Sequence, residues 1–265
     1  MNDLAPSLNV NSSQEFQTDQ LRQIIRIDDL AMQHYTFCMA TQASDMFTAL
    51  KLVQDVYMQE GYVSKEQCSG PCRLLKQHYH EKTAVFVGKK QEDIAFTVSL
   101  FPDSEWGLPM DSIYRQELDH LRSMGRKIGE VGCLATHPEH RNGSQNILMH
   151  GNKIMLKYAM EHLELDDLVI VVHPKHERVY KEVLMFEDIR SGTIKSYPEV
   201  NNNPAVALRL NLDEIEKIFR HVYQNQAPET NLHHFLFVKN STNIEISIDQ
   251  KIDPMLLNEG PYLRV

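Results

Sequence analysis

Ile128-Gly-Glu-Val-Gly-Cys-Leu-Ala-Thr136 reads as a β-strand, and Pro138-Glu-His-Arg-Asn-Gly143 as a polar loop behind it. From Ser144 a long helix follows, with Ile147, Leu148, Gly151, Ile154, Met155 and Tyr158 on one face. Within the strand Glu130 is an acid in an otherwise apolar run. A carboxylate there either lies on the outer face of a half-exposed strand or aims into a site. Gly129 and Gly132 remove side chains on either side of it, which suits close approach of another backbone or a ligand. The junction of strand, loop and helix N-terminus presents free N–H groups and a positive dipole end, a suitable seat for phosphate.

Working outward, strand-like and helix-like patterns alternate. Tyr35 to Ala40 is a short strand, then Ser44 stands at an N-cap position before Met46, Ala49, Leu50, Val53, Val56 and Tyr57. Gly61 ends that helix. Thr83 to Gly88 and Ile94 to Leu100 form an antiparallel hairpin of β-branched and aromatic residues. A helix over Asp111–Ser123 precedes the Ile128–Thr136 strand. Leu168-Val-Ile-Val-Val-His173 is apolar throughout, as a strand buried on both faces requires. A helix to Leu184, a strand over Ala205–Leu210 and a helix from Asp213 to Tyr223 complete the pattern. The expectation is an α/β fold with a central mixed sheet. Residues 1–20 read as a disordered lead-in and 21–226 as one domain. Residues 227–265 read as an appended extension, in which Phe235–Lys239 and Ile244–Ile248 could pair as a hairpin.

The 265 residues carry 27 Lys and Arg against 36 Asp and Glu, a net charge of −9 that argues against a nucleic-acid partner. No apolar run reaches the roughly eighteen residues of a membrane span, and the polar first twenty residues are no secretory signal. Four cysteines are too few for a disulfide scaffold and fit a cytoplasmic location. Cys68 and Cys72 could hold a metal only with His78 and His80, so incidental loop cysteines are favoured and no metal is expected. Cys133, mid-strand, reads as a small buried hydrophobe. No H-E-x-x-H, G-x-S-x-G, Walker A or G-x-G-x-x-G motif occurs. His137, His140, His173 and His176 lie at the ends of two strands that could open on one mouth.

Several stretches in order carry a further signal: Val56-Tyr57 with Glu60-Gly-Tyr-Val63; Thr97-Val-Ser-Leu100; Gly107-Leu-Pro-Met-Asp111; Glu117-Leu118 with Leu121-Arg122 and Gly125-Arg126; Glu130-Val-Gly-Cys-Leu-Ala135. His173-Pro-Lys-His176, Val179-Tyr180 with Leu184 and Phe186, Tyr197-Pro198 and Pro204-Ala-Val-Ala-Leu208 follow. With these, residues 45–212 resemble the long-chain N-acyl amino acid synthases, relatives of the GNAT acyltransferases and the acyl-homoserine lactone synthases. Met185 departs from the family pattern, which has glycine there, and the chain beyond 227 lies outside it. The resemblance implies a GNAT-like fold: a twisted mixed sheet splayed near its middle, with helices on both faces. It implies transfer of a fatty acyl group from a thioester to the α-amine of an amino acid.

That reaction sets requirements. An α-ammonium must lose a proton before it attacks, and the resemblance points to Glu130 as base. The tetrahedral intermediate needs N–H donors, which the strand backbone of Val131, Gly132, Cys133 and Leu134 could supply. Tyr180 stands where GNAT enzymes place a tyrosine acid for the leaving thiolate; it reads equally well as a packing aromatic. Arg141, Asn142, Gly143 and Ser144 would seat a phosphate, but they lack the glycines of the CoA-binding turn R-x-x-G-x-G/A. The expected co-substrate is therefore acyl-phosphopantetheine on an acyl carrier protein, with acyl-CoA weaker and no permanently bound cofactor. Arg122, Arg126 and Lys127 would form a basic collar for the acidic carrier. The helix with Met46, Ala49, Leu50 and Val53 would line the acyl tunnel. The lipid product could bring transient membrane contact. A CoA-dependent acetyltransferase and a non-catalytic module binding acyl chains or carrier proteins are the alternatives.

Overall fold

The computed structural model describes residues 17–246, except 24, 69, 142–143, 190–192 and 242. A helix over 17–23 (α1) comes first, followed by α2 (Asp29–Met32), β1 (Tyr35–Met39) and α3 (Ala43–Gln59). Then come β2 (Ala84–Lys90), β3 (Asp93–Pro102), α4 (Asp111–Ser123), β4 (Ile128–Thr136) and α5 (Ser144–Glu161). The chain continues through β5 (Asp167–Val172), α6 (Pro174–Glu182), β6 (Glu187–Asp188), β7 (Lys195–Tyr197), β8 (Asn203–Asn211), α7 (Ile215–Tyr223) and β9 (Ile244–Glu245). The strands form one mixed sheet in the order β6-β8-β5-β4-β3-β2-β1-β9, with β7 also pairing β8. The α/β expectation and its element order hold. Among the described residues no helix is long and apolar enough to cross a membrane.

Each face of the sheet carries its own core. On one, α5 and α7 cover Phe37, Phe86, Phe96, Leu168, Ile170 and Leu208. On the other, α3 and α4 cover Val85, Val87, Phe101, Cys133, Val169 and Ala207. The alternation of Val169 and Ile170 between the two cores is the reason β5 reads as unbroken apolar sequence. Gly151 lets α5 reach the sheet, because a Cβ there would lie 2.1 Å from Phe96 Cε1.

Four local expectations are corrected. Helix α3 begins at Ala43 with Gln42 as N-cap; Ser44 lies inside the first turn, where its carbonyl accepts the Thr48 hydroxyl at 2.8 Å. Residues 17–20 of the supposed lead-in are helical, held where Thr18 Oγ1 donates to Glu182 Oε2 at 2.7 Å and Arg22 Nε to the Glu182 carbonyl at 3.0 Å. Residues 1–16 and 247–265 lie outside the described residues. Among the described residues the expected C-terminal hairpin does not form. His234–Val238 is a π-helical turn that buries Phe235, and β9 instead adds in parallel to β1, Ile244 opposite Phe37. Lys153 holds the turn by donating to the carbonyls of Phe235 and Lys239, each at 2.6 Å. The described part of the extension is thus core of the domain rather than an appendage.

Candidate active site

The parallel pair β4 and β5 is in register from Ile128 opposite Asp167 to Val131 opposite Ile170, and no further. Beyond Val131 the two strands part. On its other side β4 keeps to β3, but Thr97 lies opposite Ala135 while Ser99 lies opposite Gly132, so β4 carries one extra residue. Cys133 takes up this bulge with φ of 50°. A bulge bends its strand and sharpens the local twist, which turns β4 away from β5. It also resets the alternation: Ile128, Glu130, Cys133 and Ala135 face α3 and α4, while Val131 and Leu134 face α5. The backbone of Gly132, Cys133 and Leu134 is left without a strand partner on the β5 side.

A cleft of about 390 Å³ opens at the parting and is lined by Glu130, the Val131–Leu134 backbone, His173, His176, Tyr180, Tyr57, Tyr197 and Arg73. Glu130 is only 4% exposed and accepts one hydrogen bond, from the Met110 N–H to Oε2 at 2.8 Å. Burial, with the carboxylates of Asp111 and Glu199 nearby, pushes it up to about 8. One backbone N–H against that burial leaves a carboxyl poised to gain or lose a proton near neutrality, as an acid–base catalyst requires. Tyr180 leans edge-on against Phe186 with ring centres 5.5 Å apart, and burial pushes its phenol up to about 12. It therefore carries its proton at neutral pH.

Val131, Leu134, Tyr180 and Leu184 also line a small apolar cavity of about 50 Å³ between the sheet, α5 and α7, walled by Met155, Leu156, Phe186, Ile215 and Phe219. It lies on the opposite face from the helix expected to line an acyl tunnel. Met46, Ala49, Leu50 and Val53 are packed solid against the sheet in the other core.

The remaining expected residues divide. His173 caps α6, accepting the Lys175 N–H at 3.1 Å, and lines the cleft with His176. His137 and His140 lie edge to face at 5.8 Å, with His140 Nδ1 2.8 Å from the Tyr35 hydroxyl, away from the cleft lining. Arg141 follows the short turn Pro138–His140 after β4 and is bound to Glu60 at 2.9 Å. Asn142 and Gly143 fall outside the described residues, and of Ser144 only its place as the first residue of α5 is described. The thiol of Cys133 is buried under α3 beside the Arg73 guanidinium, and burial pushes it up to about 11. His78 is buried and accepts the Leu75 N–H at 2.9 Å. Among the described residues no group of three or more His, Cys, Asp or Glu side chains is arranged to hold a metal ion.

The basic collar does not exist. Arg122 is shared between Asp103, Asp111 and Asp119 at 2.7 to 2.8 Å. Arg126 binds the fully buried Asp167 at 2.6 Å and Asp213 at 2.8 Å, and Lys127 lies 3.4 Å from Glu164. Arg126 and Lys127 precede β4, at the opposite end of the strand from Arg141 and the loop into α5. Counting cations along the sequence missed the carboxylates that the fold brings to them. Tyr57 and Arg73 were missed as site residues. For Arg73 a signal existed: a lone cation directly before apolar Leu74 and Leu75.

A mixed sheet splayed between its two central parallel strands, with an acid at the splay and helices on both faces, defines an acyltransferase of the GNAT type. The chain belongs to the FeeM family of N-acyl amino acid synthases, whose family model matches residues 48–211. The structure of FeeM, an N-acyl amino acid synthase from uncultured soil microbes, is similar at 28% identity and a TM-score of 0.60. That similarity covers 69% of this chain and 93% of FeeM. BjaI, a CoA-dependent acyl-homoserine lactone synthase solved with SAM and isopentyl-CoA, shares the fold at 11% identity and a TM-score of 0.54, over 85% of this chain and all of BjaI. No curated protein sequence matches. The protein is an N-acyltransferase, and the family resemblance read from the motifs holds.

Proposed function

We propose that the protein transfers a long-chain fatty acyl group from the phosphopantetheine thioester of an acyl carrier protein to the α-amine of an amino acid. The observation that carries this reading is the confluence at the β4–β5 parting. A titratable carboxyl and an unpaired strand edge meet within one cleft, and a small apolar cavity adjoins it. In this scheme the Glu130 carboxylate takes one proton from the α-ammonium. The freed nitrogen forms the C–N bond at the thioester carbonyl, and the charge arriving on oxygen is held by N–H groups of the β4 edge. Collapse breaks the C–S bond. Tyr180 protonates the departing thiolate, and the second amine proton restores the phenol. The acyl chain enters at the small cavity between Leu134, Met155 and Phe219, whose side chains must move apart to take a long chain. The loop into α5, which lacks the CoA-type glycines, favours the single phosphate of a carrier arm over a nucleotide.

The test is acyl transfer by the purified chain, read by mass spectrometry across the amino acids, with C2 to C16 donors on carrier protein and on CoA. The expected result is N-acyl amino acid with long chains, at higher kcat/KM from carrier protein. Equal or better kcat/KM from CoA would remove the carrier, and acetyl as best donor would remove the long chain.

A further inference from the structure

The cleft that holds Glu130 also has one permanent cation facing it. Among its described lining residues Arg73 is the sole Lys or Arg and Glu130 the sole Asp or Glu. The Arg73 guanidinium lies over the Tyr57 ring, 5.3 Å from its centre, and its Nη2 donates to the Glu199 backbone carbonyl at 3.0 Å. The Glu199 carboxylate is turned elsewhere, 3.4 Å from the Ser112 hydroxyl. Arg73 Nε is buried with no hydrogen-bond partner, the Cys133 thiol is the weak polar group beside the guanidinium, and among the described residues no carboxylate pairs with it. A buried charged donor left without an acceptor is costly, and such groups in native proteins ask for an explanation. A ligand acceptor supplies one.

We propose that Arg73 binds the carboxylate of the acceptor amino acid and so fixes its α-amine at Glu130. This rests on the reading of the cleft as the site of α-amine acylation. A free amino acid is a zwitterion whose two charges sit on neighbouring carbon substituents. A cleft with a single cation and a single acid answers both ends at once. The planar guanidinium, braced by the Tyr57 face and the Glu199 carbonyl, presents its remaining N–H groups as a fork suited to a carboxylate. A second cleft, of about 640 Å³, shares Arg73, Leu75, Pro109 and Tyr197 with the first and receives the acceptor's side chain.

The experiment compares three acceptors for a fixed long-chain acyl thioester: the best amino acid, its carboxamide and the amine without the carboxyl carbon. In wild type the acid should exceed the other two in kcat/KM by on the order of 10²-fold, the scale of losing one partner of a buried charge pair. Arg73→Gln should erase that preference by slowing the acid alone, with the KM of the acyl donor unchanged, and Arg73→Lys should recover part of it. A merely structural Arg73 would slow all three acceptors together, and a donor contact would raise the donor KM; either result overturns the proposal. Should Arg73→Gln fail to fold, thermal protection of the wild type decides. The amino acid should raise Tm and its carboxamide should not, and equal protection overturns the proposal. If wild type acylates amino acids but Arg73→Gln keeps the acid preference, only the role of Arg73 falls. If no amino acid is acylated, the α-amine reading falls first and Arg73 with it.

Discussion

Glu130 pays for its poise in stability, and the sign can be worked out. Its carboxyl titrates at about 8 in the folded chain against an ordinary 4.5. The folded state therefore binds the proton more tightly, so the stabilising contribution is complete below pH 4.5 and is lost as pH rises through 8. Glutamine in its place still accepts the Met110 N–H and carries no charge to bury. Glu130→Gln should match wild type at pH 4 and exceed it at pH 9 by on the order of a few kcal/mol in denaturant unfolding. The same variant should lose about 10² or more in acylation rate, and with it the rise of kcat/KM toward pH 8. Asp111, Glu199, Tyr197 and Cys133 also surround this carboxyl, so the difference between variant and wild type is the quantity to follow with pH. An unchanged rate, or a variant less stable at pH 9, would remove Glu130 as base. Met185 shows another residue-scale cost: it holds φ of 60°, a left-handed conformation that favours glycine, and its side chain packs on the core.

Between elements, the bulge at Cys133 and the parting of β4 from β5 open a passage between two strands of the sheet, the cleft at Glu130. The small apolar cavity beside it is walled by α5, α7 and the end of α6, so in the proposed reaction chain-length selection belongs to them. Met155 on α5 is buried against the apolar cavity. Each buried methylene is worth about 0.8 kcal/mol, several-fold in kcat/KM, until the cavity fills. Met155→Trp should therefore move the preferred donor to a chain shorter by several carbons, with acetyl transfer unaffected. An unchanged chain-length profile would place the acyl chain elsewhere. The strands and helices of this passage were legible in the sequence because each has a strong period and clear punctuation. The parting itself was not legible bottom-up, because a bulge changes which face a residue takes without changing composition. Glu130 could be noticed as an acid in an apolar run, and the family resemblance, not periodicity, gave it a role. Met46, Ala49, Leu50 and Val53 look alike in sequence whether they fill a core or line a cavity; the structure packs them into a core.

Over the whole molecule, the C-terminal segment closes the fold. Beyond α7 the chain returns across α5: the Ile27 N–H donates to the Glu229 carbonyl at 2.6 Å and the Phe37 N–H to that of Asn243 at 2.8 Å. Leu232 and Phe235 enter the same core as Phe37 and Phe219, and Phe235 meets the His150 ring at 4.8 Å. Lys153, half-way along α5, is 6% exposed and donates to Phe235, Lys239 and Ser241 of this segment. Burial and the Lys239 and Lys157 charges push its amine down to about 8, a cost the three acceptors offset only while the segment is in place. Polar Asn231 and His233–His234 around a short apolar run gave no periodicity from which this docking could be read. Burying two large apolar side chains contributes about 1.5–3 kcal/mol each, to which the lost hydrogen bonds add. That sum rivals the ~5–15 kcal/mol by which a domain of this kind is stable. A chain ending at residue 226 should therefore unfold non-cooperatively or fall out of solution. Phe235→Ala should stay folded and lose about 3–5 kcal/mol in denaturant unfolding. Its kcat/KM at low temperature should change little, since Phe235 lies outside the cleft lining. A truncated chain with wild-type Tm and activity would mean that the domain is complete without the segment that packs on α5.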